Sequence, residues 1–154
     1  MARKHFKDFS VEKMNVKIKL DMSGLDEAIQ RAQYALDGAI MQSMIPFMPK
    51  VNGNFIQRTV AKSAAVQGTG IVYAGVGHEG RFLYEGKVMV DPVTGSTYAR
   101  QGAKKIVTER ELNYNKLANP DVQKEWFLTA KRKDMKEWED AMNRAIKGVR
   151  AWQM

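Results

Sequence analysis

The sequence predicts an α+β fold: a small, mostly antiparallel sheet packed with a long N-terminal helix and a C-terminal helix, plus an extended β-rich arm or loop. Three observations predict it. Residues 15–21 alternate strictly between apolar and polar, the segments 25–40 and 126–149 carry apolar residues at three-and-four spacing, and the stretch between them holds short β-like runs punctuated by Gly and Pro. With 154 residues and 44% of them apolar, the chain suits one domain with a real core.

Residues 1–13 read as a flexible basic N-terminal arm, with Arg3, Lys4, Lys7 and Lys13 set among Phe6, Phe9 and Val11. Such segments are poorly ordered unless a partner ties them down, and the three apolar residues leave docking on a neighbouring subunit open. The single domain is expected over 14–154. Val16, Ile18 and Leu20 face one side of a half-buried strand and Lys17 and Lys19 the other. Ser23-Gly24-Leu25-Asp26 matches a capping box, which places a helix start near Leu25. Leu25, Ala28, Ile29, Ala32, Leu36, Ala39 and Ile40 form its apolar stripe, while Asp26, Gln30, Arg31, Gln33 and Asp37 fall largely opposite. Pro46 and Pro49 end it, and Met41, Met44 and Met48 read as core filler.

A turn at 50–54 leads into 55–66, whose later part reads as a strand, and Gln67-Gly68-Thr69-Gly70 as a hairpin turn before a returning strand over 71–76. A Gly-, charge- and aromatic-rich segment, 77–87, precedes Val88-Met89-Val90, and Asp91 to Ser96 carries the Pro and Gly of a turn. From Thr97 to Asn119 the chain is polar and irregular apart from Lys105-Ile106-Val107-Thr108, so 87–119 is expected to be an extended arm or a partner surface. Asn119-Pro120 then reads as the cap and first residue of the C-terminal helix, with Gly148 near its end. Trp126, Phe127, Ala130, Met135, Trp138, Ala141, Met142, Ala145, Ile146 and Val149 supply its stripe. Burying Trp126, Phe127 and Trp138 contributes on the order of 6 kcal/mol before entropy costs.

Composition excludes several chemistries. Without Cys there are no disulfides, thiolate nucleophiles or Cys-based metal sites, and two His far apart in sequence leave little for a His-based one. No run approaches a membrane span, and no apolar segment follows the basic N-terminus as a secretory signal would require. Gly68-Thr69-Gly70 lacks the strand-then-helix context of a dinucleotide fingerprint, and no GK[ST] signature occurs. His78, Glu79, Glu85 and Asp91 lack the one-face spacing of a metal or acid–base cluster. No catalytic, metal-binding or cofactor-binding residues are therefore assigned, and the chain is expected not to be an enzyme. The net charge of +8 is spread evenly, with 13 basic and 9 acidic residues in the first hundred positions and 12 and 8 in the rest. Lys104-Lys105 and Lys131-Arg132-Lys133 are the basic clusters outside the arm, and a charge run on a helix is usually a solvated face.

One resemblance adds to this reading. The strand V-K-I-K-L-D, the helix start S-G-L-D-E, the run P-F-M-P-K-V-N-G-N-F-I-Q-R-T, the stretch Y-A-G-V, then R-F-L-Y-E-G-K-V-M-V-D-P-V-T-G-S and W-F-L-T-A-K-R-K-D-M-K-E-W-E follow one another in that order. From about Met14 to Gly148 this resembles the minor capsid or head-tail connector proteins of long-tailed, siphovirus-type bacteriophages and prophages. It is more distantly similar to phage neck and tail-completion proteins, whose pattern is Pro, a few residues, Thr-Gly-x-Leu and then a strand; Asn52-Gly53-Asn54-Phe55 stands at that place, with Asn where the pattern has Thr and Phe where it has Leu.

The resemblance implies a structural virion protein at the head–tail junction, assembled in the host cytoplasm. The implied partners are other copies of the chain in a ring, a hexamer or dodecamer, a portal-proximal adaptor or head-closure protein, and a tail-terminator or tail-tube protein. Double-stranded DNA would pass through the lumen without sequence-specific binding, and no membrane is implied. Phe55, Phe82, Tyr84, Trp126, Trp138 and Trp152 are the expected fold or interface anchors, aromatic residues being enriched at interfaces. Within the same class a tail-terminator or tail-completion subunit, or a shell decoration protein, is the alternative. Outside it stands a basic DNA-binding assembly factor, whose affinity for DNA would fall steeply with salt.

Overall fold

The computed structural model describes the backbone of residues 9–13, 16–20, 23–51 and 53–153, and the side chains of 23–51 and 53–147. Strands β1 (Phe9–Lys13) and β2 (Val16–Leu20) pair antiparallel, Phe9 opposite Leu20 and Lys13 opposite Val16. Part of the expected flexible arm is thus a strand. Phe9-Ser10-Val11-Glu12 alternates in the sequence, but so short a run is held as a strand only beside its partner.

Helix α1 (Ser23–Met44) begins at the capping-box serine and stops where Pro46 forces a short 3-10 turn, Ile45–Phe47. Of the expected stripe Ala32 is buried and Leu36, Ala39 and Ile40 are partly buried against the core, while Leu25 in the first turn is exposed; Met41 and Met44 are buried, and Met48 just beyond the 3-10 turn is fully enclosed. The methionines are core. Asp37, assigned to the polar face, is instead 3% exposed.

Two expected strands are absent. Residues 54–65 form helix α2 (Asn54–Ala65), and 71–76 are irregular. The buried positions of α2 are Ile56, Thr59 and Ser63, a helical spacing carried by one apolar and two small polar residues, which a count of apolar residues does not register. Thr59 Oγ1 donates to Phe55 O at 2.8 Å inside the helix. Ser63 Oγ both accepts from Tyr73 N–H at 3.0 Å and donates to Tyr73 O at 3.3 Å, so one side chain pairs the 71–76 segment where a strand neighbour would have done so. Gly68 and Gly70 do have positive φ, +93° and +83°, but the turn they make closes α2 and joins no strands.

Helix α3 (Gly77–Glu85) was hidden in the Gly-rich segment. It ends on Gly86 in the left-handed region, φ +70°, whose N–H returns to Phe82 O at 2.9 Å, a common glycine helix stop. Its Gly80 lies against Gly75, where an added Cβ would stand 3.1 Å from Gly75 C. A side chain at that position would push α3 off the body.

Strands β3 (Lys87–Val90) and β4 (Ile106–Glu111) pair antiparallel with a bulge between the Lys87 and Met89 pairings, and Thr108 Oγ1 donates to Val88 O at 2.7 Å. They form the expected β-rich arm. Helix α4 (Trp126–Gln153) starts later than Asn119-Pro120 suggested and runs through Gly148. The Asn119 amide is used elsewhere, donating to Ile45 O at 3.1 Å and Met48 O at 2.8 Å. It ties the segment before α4 to the 3-10 turn, sharing Ile45 O with the Met48 N–H that closes that turn.

The molecule is α+β, with four α-helices and small antiparallel strand pairs among the described residues and the two long helices α1 and α4 packed on each other. Its core joins the end of α1 to the start of α4: Met41, Met44, Phe47, Met48, Ile56, Trp126, Ala130 and Trp138. Among the described residues every buried side-chain nitrogen and oxygen has a hydrogen-bond partner. No helix among them is long and apolar enough to cross a membrane.

Candidate interaction surface

Helix α3 separates the expected anchors into two groups. Tyr84, on its inner side, meets the Trp126 ring edge-on, with centroids 4.9 Å apart, and Phe55 from α2 meets the same indole at 6.1 Å. Trp126 is fully buried and its Nε1 donates to Ala74 O at 2.8 Å. Trp138 is buried as well, stacked with Phe127 at 6.0 Å and donating from Nε1 to Ser43 Oγ at 2.9 Å. These four residues belong to the fold. The side chain of Trp152 lies outside the described residues.

Phe82 is placed differently. His78, Glu79, Phe82 and Leu83 share one face of α3, and that face walls an open groove of about 840 Å³ whose other side is the arm. Val88, Met89 and Leu112 contribute apolar floor, and Lys87, Lys104 and Lys105 are cations along its lining. Of the two basic clusters seen in the sequence, Lys104-Lys105 is therefore at the groove, whereas Lys131 to Lys133 is an exposed stretch of α4.

The arm itself is largely uncovered. Successive residues of a strand point to opposite faces, and in β4 all but Thr108 are exposed, so both faces of β4 meet solvent, whereas β3 is half-buried and ends on the buried Val90. Ile106 and Val107 are each about half exposed, and Tyr98 and Leu117 in the flanking segments almost wholly so.

The carboxylates of the weighed cluster go to separate arginines. Glu79 pairs with Arg58, Glu85 with Arg81 at 3.0 Å, and Asp91 with Arg100 at 2.9 Å. A hydrogen bond from its own backbone N–H, then Arg58, hold Glu79 below its ordinary value. Among the described residues no three His, Asp or Glu converge as a metal site would require. Asp91 is fully enclosed and anchors the 91–100 loop: Oδ2 accepts from Arg100 Nε and from Arg100 N–H at 3.0 Å, and Oδ1 from Val93 N–H at 2.8 Å. The Arg100 guanidinium first, then these N–H groups, hold its carboxyl well below the usual carboxylate range.

Tyr114 braces the base of the arm, its phenol donating to Leu83 O on α3. Burial, reinforced by Glu111, pushes that phenol up to about 12. Burial, then the charge of Glu125, likewise raises Tyr84.

Sequence reasoning offered 87–119 as an arm or partner surface and Phe82 as a fold or interface anchor but missed the groove, because its wall is the unrecognised α3. The usable signal was Gly86 after Phe82 and Leu83, a glycine stop closing an amphipathic turn. No family model, curated protein or solved structure matches this chain.

Proposed function

We propose that this chain is a structural virion protein of a tailed phage, part of the head-to-tail connector. Copies form a ring that joins portal or head-closure proteins to the tail and leaves a passage for DNA. The observation that carries the reading is strand β4 of the β3–β4 ribbon, exposed at every position but Thr108 and bearing Ile106 and Val107 at half exposure, while its partner β3 runs into the body at the buried Val90. A two-stranded ribbon is marginal in water by itself, so one that exposes apolar side chains is suited to being covered by a neighbour. Ring closure needs two unlike patches on each subunit, and exposed β4 is suited to be one of them. The resemblance described above supplies the place in the particle.

The test is to locate the chain in intact particles with gold-labelled antibody and electron microscopy. Label confined to the head–tail joint is the expected result. Label spread over the shell would make it a decoration protein, and absence from particles would overturn the structural role in favour of a DNA-binding assembly factor.

A further inference from the structure

The α3 groove combines an apolar floor with unpaired positive charge. Phe82, Met89 and Leu112 line it, and none of Lys87, Lys104 and Lys105 takes part in an ion pair among the described residues. The carboxylate on the same wall, Glu79, is engaged by Arg58. The lining thus offers cations and apolar surface while its own acid is already occupied. By contrast, the buried carboxylates of Asp37 and Asp91 are saturated by groups of this chain and offer a ligand nothing.

We propose that this groove docks an acidic, apolar segment of a different protein, its carboxylates on the lysines and its large side chains on the floor. Charge complementarity selects that occupant. A second copy is disfavoured at this groove because its exposed β4 edge, which begins directly after Lys104-Lys105, would bring lysines against the lysines of the lining. Duplex nucleic acid is disfavoured because its phosphate backbone supplies the charge while its base faces, stacked inside the helix, cannot cover Phe82, Met89 and Leu112. The inference goes beyond the connector reading and does not need it, since the groove would serve the same class of partner in any assembly.

The test starts from a surface-displayed library of random peptides selected on the full-length chain. Peptides recovered should be rich in Asp or Glu together with Leu, Phe or Trp. Their binding, followed by fluorescence anisotropy, should weaken about tenfold or more in the Lys104→Glu/Lys105→Glu double variant and fall as salt rises. Both lysines are exposed, so the double variant should keep the wild-type melting profile. Leu112→Asp, which alters the floor and spares the lysines, should weaken the same peptides. Selection of neutral or basic peptides, or affinities indifferent to both variants, would overturn the proposal. Duplex DNA binding that the lysine reversal abolishes would replace it with a nucleic-acid site, and self-association abolished by that reversal would replace it with a contact between copies. Particle localisation tests the connector reading alone, so the two can fail separately.

Discussion

Two buried aspartates show how much a single side chain organises. Asp37 Oδ2 accepts from Gly68 N–H at 2.7 Å and Gly70 N–H at 3.0 Å, while Oδ1 accepts from Gln33 Nε2 at 2.7 Å. The two glycines can aim their N–H groups at one oxygen because both hold positive φ, which costs glycine little. Asp37→Ala removes the acceptor and strands two inward-facing donors, so it should cost about 2–4 kcal/mol in urea denaturation. Asp91 makes a pH-dependent contribution. Its folded carboxyl titrates below the unfolded one, so the stability it adds is fully present above the ordinary Asp range and is lost as pH falls from about 4 toward the depressed value. Melting curves of the wild type and Asp91→Asn should therefore differ at neutral pH and converge on acidification. The sequence placed Asp37 on the polar face by periodicity alone. Nothing local announces that a turn thirty residues later will need its carboxylate.

At the level of elements, the two missed helices have physical explanations. α2 turns Ile56, Thr59 and Ser63 inward, and two of those are polar residues whose burial depends on the hydrogen bonds waiting for them at Phe55 and Tyr73. α3 has glycine at its first position, glycine at a packed position and glycine at its stop, a composition that reads as loop. Gly80 is there for closeness: a Cβ would meet the backbone of Gly75 at 3.1 Å. Gly80→Val should destabilise by about 1–3 kcal/mol, read as a lower urea midpoint with an unchanged slope. The same helix predicts a split between its aromatics. Tyr84→Ala removes a ring packed on Trp126 and should cost about 2–4 kcal/mol, whereas Phe82→Ala, on the groove wall, should cost less stability and instead impair assembly. If both variants left solubility and ring formation unchanged, neither residue would be an anchor.

On the scale of the whole molecule, a helical body carries a ribbon whose outer strand, β4, is uncovered, and the proposed assembly is tested there. Val107→Glu, at a half-exposed position of β4, should change monomer stability by no more than about 0.5 kcal/mol yet prevent rings from forming, as measured by light scattering after size exclusion. Rings that formed normally would remove the ribbon from the subunit contact. The sequence by itself determined the α+β class, the two long helices, the strand at Val16–Leu20 and the proline stop after Met44, because each rests on periodicity or on covalent properties of residues near in the chain. Only the tertiary structure decided that 54–65 and 77–85 are helical, that Asn119 serves the end of α1 instead of the start of α4, and that Phe82 and Tyr84 face opposite ways. Those outcomes depend on partners distant in sequence, whose hydrogen bonds and packing outweigh local preference once the chain has closed around them.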